Sequence, residues 1–486
     1  MTTDTAVENP IINSPFVEPQ CYWEIKKGEQ PKTVAGRREA YYYYRVPDNA
    51  KRGRKNKDQL SLEGDLGVGQ KEELHIANWL RKRLKEWRNG SLTGIPYDGA
   101  SDITKELLRL WKAEEGRFQR LFFAQMEAAE TIIFLTEAHP VYYKSMPLIP
   151  VDQPGEKTKA AGFKSFTRYA CKMVTGTGKT TVMGMLSAWT ILNRVAFPTD
   201  NRFTDTILIV CPNVTIRERL KELDPALGDQ SIYRTRQLVP PHHMEELRRG
   251  EVMVTNWHKL AKKETNSVNG DSAKVVKTGE AVEITKNAGK KNESTETKYV
   301  ESDAAWFKRI KQELGSGKGR CPYWLVFNDE AHHAYRRGDA SDNEGEAITL
   351  DETASEDRST LAKKNDKEAT IWIEGLDRIN RMAGKNKQAG ARGDRGINLC
   401  VDLSATPFYI QGSGNEVGKP FPWVVSDFGL LDAIESGLVK IPQLPSRDIS
   451  GNEEANYFNI WRWVEEQALK DGIAKSAKDL TPEVVL

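Results

Sequence analysis

The sequence predicts an α/β fold, a mostly parallel sheet covered by helices on both faces, with an accessory amino-terminal region. Three observations predict it. Short apolar runs of strand length recur at Tyr169–Val174, Thr206–Cys211, Val252–Thr255, Tyr323–Phe327 and Ile397–Leu403. Segments of helical periodicity lie between several of them, at Thr180–Leu192 and Thr215–Leu223, which is the pattern of strands buried on both faces. Three of the runs end directly in turns rich in glycine, carboxylates or hydroxyls, and the carboxyl edge of such a sheet is where ligands bind.

Ahead of the first run, helices are expected at Glu72–Trp87, Thr104–Ala113 and Phe122–Glu137. In the first, Leu74, Ile76, Ala77, Leu80, Leu84 and Trp87 fall roughly on one face. The chain divides into an accessory region, 1–118, a sheet-bearing domain, 119–445, and a helical tail, 446–486. Two stretches inside the domain, about 261–303 and 338–369, are dominated by Lys, Asn, Thr, Glu, Asp and Ser. Both read as insertions too polar to repay the entropy of ordering.

The 486 residues carry 71 basic and 69 acidic side chains, so the net charge of +2 does not mark a nucleic-acid binder by itself. Five widely spaced cysteines, without a CxxC pair, argue against a disulfide scaffold or a zinc module. The polar amino terminus has no signal core and no run approaches eighteen apolar residues, so a soluble cytoplasmic protein without a membrane span is expected.

The first chemical motif is Thr175-Gly176-Thr177-Gly178-Lys179-Thr180-Thr181, between a strand and a helix. Backbone N–H groups there converge on an anion, and the helix dipole favours negative charge. Gly176 and Gly178 admit phosphate without Cβ interference, Lys179 would reach the β- and γ-phosphates, and the Thr180 hydroxyl would bind Mg²⁺. The general pattern asks for glycine where Met173 stands. A flexible Gly/Thr turn is the bland alternative. The second motif is Asp329-Glu330-Ala331-His332, directly after an apolar strand. Asp329 would hold the Mg²⁺ hydration shell and Glu330 would polarise the attacking water. A solvated acidic turn is its alternative. His332 and His333 are adjacent, which is poor chelate geometry, so coupling or structural roles are assigned to them.

Ser404-Ala405-Thr406-Pro407 follows the last strand, where small hydroxyl residues can couple to those carboxylates. Two further loops are candidates for DNA contact. Pro212-Asn213-Val214-Thr215 opens a helix carrying Arg217, and Thr255-Asn256-Trp257 ends a strand. Locally, the former reads equally as a capped surface helix and Trp257 equally as core.

The order Gly-Thr-Gly-Lys-Thr, Asp-Glu-Ala-His, Ser-Ala-Thr resembles motifs I, II and III of superfamily 2 helicases of the DEAD/DEAH type. Phe122–Glu130, Cys171–Val174, Val425–Pro442 and the opening Asn9–Phe16 resemble the Res (helicase/nuclease) subunit of type III restriction enzymes. The resemblance implies a RecA-like sheet, MgATP as cofactor, double-stranded DNA as partner, and Gln125 as the glutamine that reads adenine. It implies a methyltransferase subunit as a second partner. It also implies a second motor domain and a nuclease, for which nothing after Pro442 carries a recognisable motif. The chain is therefore expected to be the amino-terminal half of such a machine, nearly inactive alone. The competing expectation is a nucleotide-gated DNA-binding subunit that stays silent without a partner chain.

Overall fold

The computed structural model describes residues 9–25, 29–44, 70–265, 279–286, 294–314, 323–337, 356–383, 396–410 and 412–440. The tail expected at 446–486 lies outside them, as does the aliphatic island at 348–350.

A six-stranded sheet forms the centre. Its strands are β5 (Arg168–Met173), β6 (Thr206–Cys211), β7 (Glu251–Asn256), β11 (Trp324–Asp329), β12 (Ile397–Ser404) and β13 (Val424–Phe428). They lie in the order β13-β5-β12-β11-β6-β7, and every pairing is parallel. Burial explains why their sequences read as apolar runs rather than alternations. In β6, Ile207 and Ile209 pack into one hydrophobic cluster while Leu208 and Val210 pack into another on the opposite face. The sequence pattern predicts five of these strands to within a residue or two at each end. It does not predict β13, where Ser426 and Asp427 interrupt the apolar run.

One face is covered by α1 (His75–Asn89), α2 (Asp102–Lys112), α3 (Phe123–Glu137) and α4 (Lys179–Ala196). Leu80, Leu84 and Trp87 of α1 and Leu107, Leu108 and Trp111 of α2 share one core with Ile132, Phe134, Leu186 and Trp189. The described residues up to Val439 form one compact unit. α3 is apolar nearly all round and buried along almost its whole length, as its two-sided packing requires. Before α1 come two antiparallel hairpins, β1 (Cys21–Glu24) with β2 (Lys32–Ala35) and β3 (Tyr41–Tyr44) with β4 (Gln70–Glu73).

The other face is covered by α6 (Asp303–Leu314) and α7 (Glu356–Ala383), once the short α5 (Val214–Leu220) is counted in chain order. Trp306, Ile310, Trp372, Leu376 and Ile379 supply that layer. Under them, Arg168 bonds Asp402 at 2.7 Å and Asp152 at 2.8 Å, while Asn328 and Trp423 donate to the same Asp402 carboxylate. A buried charge survives only when its lone pairs are satisfied in this way.

Both polar stretches need correction. The stretch 261–303 contains β8 (Glu264–Thr265), β9 (Gly279–Lys286) and β10 (Ser294–Glu301), joined as a three-stranded antiparallel sheet. Neighbouring strands can pair main chain to main chain without an apolar core of their own, and Val282, Ile284, Thr285, Thr295 and Thr297 suit extended backbone. The stretch 338–369 ends inside α7, whose Ala362 and Ala369 are buried. Polar composition around isolated alanines concealed the start of that helix.

Tyr299 pairs with Thr265 in antiparallel register, so a two-residue turn can close the hairpin at that point. Replacing residues 266–298 by Asn-Gly is expected to shift the thermal unfolding midpoint by no more than a few degrees. The base stays anchored by Arg309, whose Nε and Nη2 donate to the two Glu301 carboxylate oxygens, each at 2.9 Å. Differential scanning fluorimetry checks this, and a fall of ten degrees or more would show that the segment packs on the core.

Candidate nucleotide site at the carboxyl edge of the sheet

β5 runs into the glycine loop through Val174, whose N–H bonds the Phe428 carbonyl of β13 at 3.3 Å. Thr177 then turns back, donating both its N–H and its hydroxyl to the Val174 carbonyl, at 3.2 and 2.7 Å. Gly176 and Gly178 adopt φ of 93° and 90°, a region that side chains bearing a Cβ rarely enter. At Gly178 there is a second reason for glycine, because a Cβ would collide with the Gln125 amide. At Gly176 it would meet only the Leu438 carbonyl, at 3.8 Å, so the mouth of the loop is open. α4 starts at Lys179, and Thr175 is exposed, Thr180 half-buried and Thr181 buried around its first turn.

Gln125 is buried against this loop. Its amide donates to the Thr177 carbonyl at 3.1 Å and its carbonyl accepts from the Phe122 N–H at 3.0 Å. The glutamine is thereby fixed beside the glycine loop.

The carboxylates come from the end of β11, two strands away. Asp329 is 6% exposed, and burial pushes its carboxyl up to about 6, with Lys179 acting against the shift and Glu330 reinforcing it. Glu330 sits at φ 52°, a left-handed conformation uncommon for glutamate, and this turns its side chain toward the loop. There it forms an ion pair with Lys179. The two motifs, 151 residues apart in sequence, are thus in direct contact. Oxygen donors at Thr180 and Asp329 suit a small hard cation, and the positive-φ loop with Lys179 suits a polyphosphate.

Coupling to the third motif is direct. His332 Nδ1 and Ser404 Oγ lie 2.9 Å apart, and the same Oγ accepts from the Thr406 N–H at 3.1 Å across Ala405. Burial, reinforced by the neighbouring His333 imidazole, lowers the His332 pKa to about 4, so the ring is neutral at physiological pH. A histidine whose folded pKa is depressed gives stability that is present above its unfolded pKa and lost as pH falls toward the folded one. Wild type is therefore expected to lose stability between about pH 6.5 and 4 through this group, by at most on the order of 2–3 kcal/mol. His332→Gln should remove that part of the acid sensitivity. Unfolding midpoints of both proteins at pH 7.5 and 5.0 test it, and equal losses would exclude the assignment.

Sequence reasoning missed the ionic layer behind the loop. Lys172 of β5 pairs with Asp427 of β13 at 2.7 Å, and Arg37 and Arg81 both donate to the Asp427 carbonyl. Arg37 also pairs with Glu127, and Arg88 with Glu130, on α3. Burial alone would raise both glutamates, but the arginines outweigh it and hold their carboxyls below the usual range. The signal was present, since carboxylates three residues apart on an otherwise apolar helix must find cations.

The DNA-facing candidates divide. Asn213 caps α5, accepting from the Ile216 N–H at 2.9 Å, and Thr215 is exposed on the first turn. Arg217 is half-buried and pairs with Glu218 at 2.8 Å. Thr255 and Asn256 are 1% and 4% exposed, so the surface position expected of them is not met. The end of β7 is packed against Cys211, whose thiol donates to the Thr255 carbonyl at 3.3 Å. Next to them Trp257 and His258 are stacked at 3.6 Å, and His258 is exposed.

Residues 120–356 match the family model described as type III restriction enzyme, res subunit. This stretch of the chain is similar to that family. The likeness is to a helicase-like ATPase domain, and the sheet beneath it is RecA-like. The match takes in Gln125, the glycine loop and the Asp329–His332 turn, but not Ser404–Thr406 or β13. No curated protein and no solved structure matches the chain. Among the described residues no helix is long and apolar enough to cross a membrane.

Proposed function

We propose that the chain binds MgATP at this sheet edge and hydrolyses it in response to double-stranded DNA, as the motor part of a type III restriction assembly. The observation that carries the reading is the Lys179–Glu330 contact, which brings the glycine loop and the carboxylate turn to one point while Asp329 stands beside them. MgATP would bring to the site an electrophilic phosphorus with its charge partly neutralised by the cation. Lys179 would exchange Glu330 for the β- and γ-phosphates, Gln125 would meet the adenine, and Thr180 and Asp329 would hold the cation. Glu330, released from its ion pair, orients a water for attack.

Lys179 has two alternative partners, so the site is self-neutralised until nucleotide arrives. DNA contact is assigned to Asn213, Thr215 and Arg217, with Ser404 and His332 relaying between the loops. Completion of the site by a second motor domain, and sequence recognition by a methyltransferase subunit, follow from the family rather than from any contact observed here. Phosphate release by the purified chain, with and without duplex DNA, tests the reading. Nucleotide binding with turnover near background is the expected result, rising when a partner carrying the second motor domain is added. Robust DNA-stimulated turnover by the chain alone would overturn the partner dependence, and no nucleotide binding at all would overturn the site.

A further inference from the structure

Between α2 and the segment ahead of β7, a second group of donors converges. Glu106 lies on α2, and His242 and His243 lie on the turn Pro241–His243. The two Glu106 carboxylate oxygens each face one imidazole, with Oε1 at 3.1 Å from His242 Nε2 and Oε2 at 3.1 Å from His243 Nε2. All three donor atoms lie within 4.8 Å of one another. These are hydrogen-bond distances in the empty group, but ligands at about 2.0–2.1 Å in a tetrahedral site stand roughly 3.3 Å apart, so an ion could replace the shared protons with little movement of the three side chains.

Two further features distinguish this group from a chance ion pair. On the far side of His243, the partly exposed Glu246 places Oε2 3.9 Å from Nδ1, with no hydrogen-bond partner for that oxygen among the described residues. A metal-bound imidazole commonly directs its other nitrogen at a carboxylate, which fixes the tautomer and raises the basicity of the ligating nitrogen. The histidines also follow Pro240 and Pro241, whose fixed φ limits the backbone freedom that binding would otherwise have to remove.

We propose that Glu106, His242 and His243 form a zinc site, with Glu246 as the carboxylate behind His243 and the fourth position open to water. Two imidazoles and one carboxylate suit Zn²⁺ better than Mg²⁺ or Ca²⁺, which prefer all-oxygen shells. His242 is exposed, so the ion exchanges with solvent, and three protein ligands make the site reversible rather than a permanent staple. When occupied it ties α2 to the segment before β7. The Trp111 indole, donating to the Leu238 carbonyl at 2.8 Å, already joins the same two segments.

Isothermal titration of the full chain with Zn²⁺ alone tests this, with Co²⁺ absorption as a second readout. Wild type should bind one equivalent that the His242→Ala/His243→Ala double variant does not bind, and Co²⁺ should give visible ligand-field bands only in wild type. Zinc should raise the wild-type unfolding midpoint and leave that of the variant unchanged. Glu106→Gln, which keeps the side-chain size and so the packing of α2, should weaken binding strongly even if the double variant folds poorly. Glu246→Gln should weaken it by about 10–100-fold. Equal zinc binding in wild type and Glu106→Gln would place the ion on other ligands, the cysteines included, and would overturn the proposal. So would the absence of a one-to-one event in wild type.

Discussion

Lys179→Ala is expected to abolish measurable MgATP binding, or to weaken it by about ten- to a hundredfold. The lysine supplies the only charged donor of the glycine loop, and hydrogen bonds to charged groups contribute roughly 1.5–3 kcal/mol each. In the ligand-free protein its ammonium rests on Glu330, with both side chains partly exposed, at 12% and 25%. An ion pair of that exposure adds little to stability, so the variant should unfold at nearly the wild-type temperature. Titration with a fluorescent nucleotide and a parallel melting curve separate the two effects. Equal affinities would remove the phosphate-loop assignment, and a large drop in melting temperature would point to a structural role instead.

Glu330→Gln is expected to give the opposite pattern. Glutamine keeps the size of the side chain and most of its hydrogen bonds, but it cannot polarise a water as a carboxylate does. Turnover in the assembled enzyme should therefore fall by about 10² or more while ATP still binds. Binding should tighten, because Lys179 no longer has to leave a charged partner before it reaches phosphate. The unusual backbone at Glu330, φ 52°, is no worse for glutamine, so the fold should be unaffected. Single-turnover phosphate release by the chain with its partner is the decisive measurement. Normal hydrolysis by the variant would assign water activation to a different residue.

The two variants differ because the same ion pair is held by a loop on β5 and a turn on β11, and each partner has a separate task once it breaks. Asp329 behaves differently from its neighbour. It is buried, and its carboxyl is pushed up to about 6, so a cation arriving there would also relieve an unfavourable buried charge.

Much of this was legible in the chain. Five strands and their parallel arrangement could be read because strands buried on both faces have nowhere to put polar side chains, and β6, TILIVC, is the clearest case. The glycine loop and the Asp329–Glu330 turn could be read because each follows a strand directly, and local geometry alone puts such turns at one sheet edge. The sequence also singled out Gln125, though only through the family resemblance.

Only the tertiary structure decided the rest. β13 escaped notice because Ser426 and Asp427 are polar, and their burial is tolerated only because Lys172, Arg37 and Arg81 meet the strand from elements up to 390 residues away. Thr255 and Asn256 looked like surface residues at a strand end, yet β6 packs over them. Within the polar stretch 261–303, residues 279–286 and 294–301 pair main chain to main chain, which side-chain hydrophobicity does not report. Glu106 meets His242 and His243 across 136 residues of chain, a pairing that no local spacing encodes. Periodicity and turn chemistry are written within a few residues of one another, whereas charge pairing and donor convergence depend on which distant segments the packed core brings together.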